Sequence, residues 1–337
     1  VSVVVFYDQN DNGVIDADEP VRIPGVEVVA GSATAMTAKG SGQATIQATA
    51  GTQTFAIRTE TLPPYWVPTA GVSVTVPGTA EVHLPVRLPI GDNQPNVYVA
   101  FGDSITLGQG SSTGGGYRTL LQAQLTTYFG QAFIVNSGKD GTFSSNGADR
   151  IPGVMSREQP AYALILYGTN DWNDQRCQNS PPADCSTIDN LTTIVEYVKG
   201  VSSYPVLATL PPTNPTLAPQ QRTDWNAGMN TLIKALAQRE GAIVADVFAA
   251  FPTTNPSALP NYFSDGIHPN DQGYALVAQA FLKALSTSRT GTPGPTGLES
   301  AAGFAFVRPG AVPSPAPNPA WEDGLVPRAA RPRGRAH

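Results

Sequence analysis

The stretch V-Y-V-A-F-G-D-S-I-T, residues 97–106, runs an apolar segment straight into a glycine, an acid and a serine. A short apolar run without polar alternation reads as a strand buried on both faces. Similar runs recur at 132–136, 161–167, 204–209 and 242–247, and segments of helical spacing lie between them. Tyr117, Leu120, Leu121, Leu125 and Tyr128 share one helical face. So do Trp225, Met229, Leu232, Ile233 and Leu236, with Gly241 as a stop signal, and then Tyr274, Val277, Phe281, Leu282 and Leu285. Strand–helix alternation of this kind predicts a parallel sheet with helices on both faces. Ligands bind such sheets beyond the carboxyl ends of the strands, which is where Ser104 falls.

Of three further islands, N-S-G-K-D-G at 136–141 and G-T-N-D at 168–171 share that placement, and D-G-I-H-P-N at 265–270 lies in the loop before the last helix. Each has an ordinary reading as a cap or turn. Together they supply a nucleophile, neutral hydrogen-bond donors and a histidine three residues after a carboxylate, the parts that acyl transfer requires. A serine needs a base to become a nucleophile. The chain has three histidines. His337 is the last residue, and His83 lies in V-H-L-P-V-R-L, where Val82, Leu84, Val86 and Leu88 form the buried face and turn His83 outward with Arg87. His268 remains as the base. Asp265 is close enough in a turn to orient its imidazole, the alternative being an Asp-Gly turn alone.

The four islands resemble, in order, blocks I, II, III and V of the SGNH (GDSL) hydrolases, over roughly residues 95–287. The resemblance implies a three-layer α/β/α flavodoxin-like domain with a five-stranded parallel sheet, and a serine esterase with no catalytic cofactor. It implies three oxyanion donors: the Ser104 N–H, the N–H of a block II glycine, and the Asn170 side-chain amide. Block II has two glycines, and the family spacing N-x-x-x-x-G falls on Gly141 rather than Gly138. Asp103 and Asp171 would brace their loops. The family spans short-chain esterases, carbohydrate acetylesterases, lipases and thioesterases, and the lack of a long apolar lid favours short acyl groups. Phe143, Trp172 and the segment between the cysteines are candidates for a pocket wall. The expected partner is an ester, with acylated carbohydrate as a narrower alternative and a non-catalytic adhesin as the rival reading.

Residues 1–90 contain no helical pattern. Alternating runs at Val1–Tyr7, Val26–Ala30, Thr54–Arg58, Val72–Val76 and Val82–Leu88 are separated by Gly, Pro, Ser and Thr, the spacing of a small β-sandwich. The segment V-F-Y-D-Q-N-D-N-G-V-I-D-A-D-E-P, with P-G-V-E-V after it, resembles the calcium-binding B-type immunoglobulin-like repeats of bacterial surface adhesins. Asp8–Glu19 also fills a twelve-residue calcium-loop pattern. Asp8, Asn10 and Asn12 hold positions 1, 3 and 5, Val14 offers its carbonyl, and Asp16 and Glu19 hold positions 9 and 12. Pro20 disfavours a helix after it, so this is not a complete EF-hand.

A length of 337 residues suits two domains, 1–90 and 95–287, and a Pro/Gly/Ala-rich tail at 288–337 whose L-V-P-R at 325–328 resembles part of a cleavable tag. A net charge of −6 gives no electrostatic case for nucleic acid, and no apolar stretch reaches the length of a membrane span. Cys177 and Cys185, the two cysteines, are expected to close a short disulfide loop. With a calcium module, that points to an extracellular or cell-surface protein whose signal peptide is not included in this chain.

Overall fold

The computed structural model describes residues 1–78 and 81–287, so the tail reading at 288–337 lies outside the described residues. The N-terminal part is β structure. Its strands are β1 (Ser2–Tyr7), β2 (Glu27–Ala30), β3 (Ala33–Met36), β4 (Gln43–Thr45), β5 (Gly51–Ile57), β6 (Val67–Pro68), β7 (Val72–Val76) and β8 (Val82–Arg87). They form two four-stranded sheets, ordered β4-β1-β8-β6 and β3-β2-β5-β7. β1 and β8 pair in parallel, and the other pairs are antiparallel. Val82, Leu84, Val86 and Leu88 are buried as their alternation requires, and His83 is half-buried beside Glu81. β3, β4 and β6 escaped the sequence reading because they span two to four residues and carry little apolar alternation.

The second part is built on a five-stranded, wholly parallel sheet: β9 (Gln94–Gly102), β10 (Phe133–Gly138), β11 (Pro160–Leu166), β12 (Tyr204–Ala208) and β13 (Ile243–Ala245). Its order is β10-β9-β11-β12-β13, the flavodoxin-like arrangement, whose ligand crevice opens where the connections diverge from the first strand, here β9. The apolar runs are buried on both faces for a period-two reason. Tyr98, Ala100, Tyr162 and Leu164 point into one hydrophobic cluster, and Val99, Phe101, Ala163 and Ile165 into the other.

Eight α-helices accompany the sheet among the described residues: α1 (Ser104–Leu107), α2 (Gly116–Phe129), α3 (Ser144–Glu158), α4 (Gln175–Gln178), α5 (Thr187–Gly200), α6 (Gln220–Glu240), α7 (Val247–Ala250) and α8 (Asp271–Ser286). α2 and α8 pack into the first cluster, and α3, α5 and α6 into the second. On α2 the buried stripe is Tyr117, Leu121, Leu125 and Phe129, a run of strict four-residue steps. Leu120, expected in that stripe, lies off it and is 41% exposed. α3 was not legible because Gly147, Pro152 and Gly153 depress helix propensity. Gly147 is there for packing: a Cβ would stand 2.8 Å from the Tyr167 ring.

Candidate active site

The carboxyl ends of three adjacent strands, β10, β9 and β11, and the loop before α8 supply the site. At the end of β9, Gly102 allows close approach of the neighbouring strand and of α1, since a Cβ there would stand 2.3 Å from the Leu166 carbonyl oxygen and 2.1 Å from Thr106 Oγ1. Asp103 caps α1, its Oδ1 accepting the Ile105 N–H at 3.0 Å. Ser104 is therefore the first residue of α1, where a backbone N–H has no partner within its own helix. Gly108, at φ 99°, ends that helix after one turn.

Ser104 and His268 are both buried, and Ser104 Oγ lies 2.9 Å from His268 Nε2. On the other side of the ring, His268 Nδ1 is 2.7 Å from Asp265 Oδ2. The D-G-I-H turn itself makes this possible. Asp265 Oδ1 accepts the N–H groups of Ile267 and His268 at 2.8 and 2.7 Å, which leaves Oδ2 facing the imidazole. Burial tends to raise the Asp265 pKa, but these backbone bonds and the histidine outweigh it and hold the carboxyl below its usual value. Asn270 then caps α8 by accepting the N–H groups of Gln272 and Gly273. The loop after α1 rests on this turn, with Tyr274 donating its hydroxyl to the Gln109 carbonyl at 2.6 Å.

The two block II glycines part company. The Gly138 N–H donates to Asn136 Oδ1 at 3.0 Å, and a Cβ on Gly138 would stand 2.2 Å from the Leu107 nitrogen, so this glycine serves close packing. Gly141 sits in a turn at φ 66°, and its N–H meets no acceptor among the described residues. Asn170 is buried in the loop after β11, and its Nδ2 donates to the Thr142 carbonyl at 3.1 Å. One amide hydrogen is thereby used, and the side chain has a second.

Buried polar groups hold these loops. Asp171 accepts the Ser144 N–H at 2.8 Å and the Thr187 hydroxyl at 2.6 Å, tying the G-T-N-D loop to α3 and α5, while burial raises its pKa. Asp103 is wholly buried, and its Oδ2 has no hydrogen-bond partner among the described residues. Burial pushes its pKa up to about 7, against the Ile105 N–H and with help from the Asp171 charge. Arg150 of α3 donates to the Ser137 carbonyl at 2.7 Å and to the Tyr167 hydroxyl, which meets Thr142 Oγ1 at 3.1 Å. Arg222, the third residue of α6, donates to the Thr169 carbonyl at 2.7 Å. Nothing near Arg150, Tyr167 or Arg222 in the chain marks their role; only the fold brings them to the loops.

Cys177 and Cys185 form a disulfide, and both are buried in the cluster that holds α5 and α6, with Trp172 packed against it. Phe143 is half-buried at the cap of α3. In the Asp8–Glu19 loop, the carboxylates are engaged with the loop's own N–H groups. Asp8 accepts from Asn12 and Gly13, Glu19 from Gln9 and Asn10, and Asp16 from the Asn10 and Asn12 side-chain amides. No group of three or more His, Cys, Asp or Glu residues is arranged to hold a metal ion among the described residues. The oxygen-rich donor set suits a hard cation, but the structure adds nothing to the sequence pattern that suggested one.

Residues 100–276 match the GDSL-like Lipase/Acylhydrolase family. That is more than half of the chain, and the protein belongs to this family of ester hydrolases. It is 23% identical over 207 residues to thioesterase 1/protease 1/lysophospholipase L1 of Escherichia coli K12, covering 60% of this chain and 91% of that one. Among solved structures, an acetylxylan esterase from Geobacillus stearothermophilus aligns at 20% identity and a TM-score of 0.48, covering 60% of this chain and 98% of its own. The lipase/acylhydrolase of Enterococcus faecalis aligns at 21% identity and a TM-score of 0.47, over 57% of this chain and 95% of its own.

Proposed function

We propose that the chain hydrolyses short-chain carboxylic esters, of the acetyl kind, through an acyl-enzyme on Ser104. The observation that carries this is the continuous hydrogen-bonded series from Ser104 Oγ through His268 to Asp265, at 2.9 and 2.7 Å. His268 takes the serine proton as Oγ attacks the carbonyl carbon, and Asp265 holds the ring so that Nε2 faces the serine. The Ser104 and Gly141 N–H groups and the free hydrogen of the Asn170 amide receive the charge on the carbonyl oxygen. His268 returns its proton to the leaving alcohol and then activates water to release the acid. All these groups act without a metal or organic cofactor.

Short acyl groups are favoured by the absence of a long apolar segment in the loops flanking the site. Acylated carbohydrate is the narrower substrate reading, with the β part, in our reading an immunoglobulin-like sandwich, aiding substrate or surface binding. The disulfide supports an extracellular or surface location. We assign calcium to Asp8–Glu19 on its pattern of Asp, Asn and Glu.

The test is a series of p-nitrophenyl esters from acetate to palmitate, alongside acetylated xylan. Ser104→Ala should abolish turnover while the protein stays folded, because a methyl group cannot form the acyl-enzyme. His268→Ala should be nearly as severe and Asp265→Ala milder, since the Asp265 side chain is 49% exposed and water can partly replace it. Substantial turnover by Ser104→Ala would sink the assignment, and no turnover by the wild type would favour an adhesin-type binding protein.

A further inference from the structure

Arg222 holds a turn rather than an acid. Its guanidinium is buried, with the residue 7% exposed, and it makes no ion pair among the described residues. Its Nη2 donates to the Thr169 carbonyl at 2.7 Å and its Nη1 lies 3.4 Å from Asn173 Oδ1. The group stacks over the Trp172 ring, 5.1 Å from the centroid. Its Nε is buried with no partner among the described residues. Burial lowers the Arg222 pKa despite the attraction of the Asp103 and Asp265 charges, neither of which forms an ion pair with it. Burying this cation therefore opposes folding, and an apolar side chain of similar volume would be expected to serve stability better.

The three groups that Arg222 touches flank Asn170 on both sides. We infer that Arg222 is a positioning residue for the reaction, the template around which residues 169–173 wrap so that the Asn170 amide faces the oxyanion. The inference rests on the reading of Asn170 as an oxyanion donor. Fixing the Thr169 carbonyl fixes the plane of the peptide that joins it to Asn170, because that unit is rigid. The Asn170 side chain, already tied by one hydrogen to the Thr142 carbonyl, then has one orientation left for its second hydrogen. Thr142 follows Gly141, so the same bond couples the turn to the other proposed donor. Displacements near 1 Å at such a site cost about 10²-fold in rate.

A double-mutant cycle on p-nitrophenyl acetate tests this, using Arg222→Met, Asn170→Ala and the double variant, with Arg222→Lys as the conservative change. Arg222→Met should lower kcat by about 10²-fold and leave KM within about twofold, because the oxyanion exists only beyond the ground state. In the Asn170→Ala background the same change should cost little more, since the group it positions is gone. Arg222→Lys should restore part of kcat by donating to the Thr169 carbonyl. Melting curves establish that each variant is folded; if Arg222→Met is not, the cycle is run with Arg222→Lys under the same criterion. Unchanged kcat, or a loss that multiplies in full onto Asn170→Ala, overturns the role of Arg222. Full activity in Asn170→Ala alone would instead overturn the reading of Asn170.

Discussion

Asp103 precedes the proposed nucleophile and illustrates how a residue can be legible in position and illegible in energy. The F-G-D-S island placed it at a strand end, and its role as a cap follows from its short acceptor side chain. That its other oxygen would lie buried without a partner depends on the packing of distant elements, and no local pattern records it. The consequence is a dependence on pH. The unfolded chain releases this proton near the ordinary value of 3.8, whereas the folded chain holds it until about 7. Between those values the folded state binds more protons, so this group's contribution to stability is greatest below 3.8, declines as pH rises and levels off above about 7. Asp103→Asn keeps the acceptor for Ile105 and cannot ionise. Its stability relative to wild type should therefore rise between pH 4 and 7, by about 1.4 kcal/mol for each unit separating the two pKa values, and then stay level. Parallel urea-unfolding profiles for the two proteins across that range would show that Asp103 is not a displaced acid. Ser104, Asn170, Asp265 and His268 could be proposed from the sequence because each lies in a short motif whose chemistry is local. Arg222 was not, because an arginine in the first turn of an amphipathic helix reads as a solvated face.

Elements show the same division. The five buried strands could be read from apolar runs, and α6 and α8 from their spacing, because burial there follows a simple period. α3, β3, β4 and β6 could not, since close packing overrides propensity in the first and too few residues carry a period in the others. The Asp8–Glu19 loop is an element whose sequence says more than its geometry. Asp8 and Glu19 are buried, at 3% and 2% exposure, and both are already supplied with N–H donors. A cation bound by the loop would neutralise the carboxylates of Asp8, Asp16 and Glu19 and add its binding energy to the folded state. On the calcium reading, added calcium should raise the melting temperature and a chelator should lower it again. The gain is about 2.7 kcal/mol when free ion exceeds its Kd a hundredfold, with kcat unchanged below the transition. Identical melting curves in calcium and in excess chelator would leave the loop as a hydrogen-bonded turn that needs no ion.

At the scale of the molecule, the sequence suggests a separable β module, but the described structure packs it as one unit with the hydrolase part. A single hydrophobic cluster runs from Val3 and Phe55 through Leu88 and Ile90 to Tyr98, Tyr162, Leu121 and Phe281. Tyr65 stacks on Tyr204 with ring centroids 3.9 Å apart and donates its hydroxyl to the Gly241 carbonyl. The backbone takes part as well. The last carbonyls of a helix have no partner within it, and on α2 those of Tyr128 and Phe129 accept the N–H groups of Gly40 and Arg22 at 3.0 Å each. The β part thus completes α2 and covers one flank of the catalytic sheet, contacts that arise from tertiary approach and leave no trace in either segment's own pattern. Two domains joined only by a linker would melt separately, whereas a shared core couples them. The full chain should therefore unfold in one transition by calorimetry, with ester hydrolysis lost at the same temperature. Tyr65→Ala, which removes a buried ring from the seam, should destabilise that single transition by about 3 kcal/mol. A chain beginning at residue 91 should melt well below the intact protein or fail to stay soluble, because it exposes Tyr162, Tyr204 and the open end of α2. If that shortened chain keeps the full melting temperature and kcat, the shared cluster is a contact between independent domains, and the β part must be explained by what it binds rather than by what it holds in place.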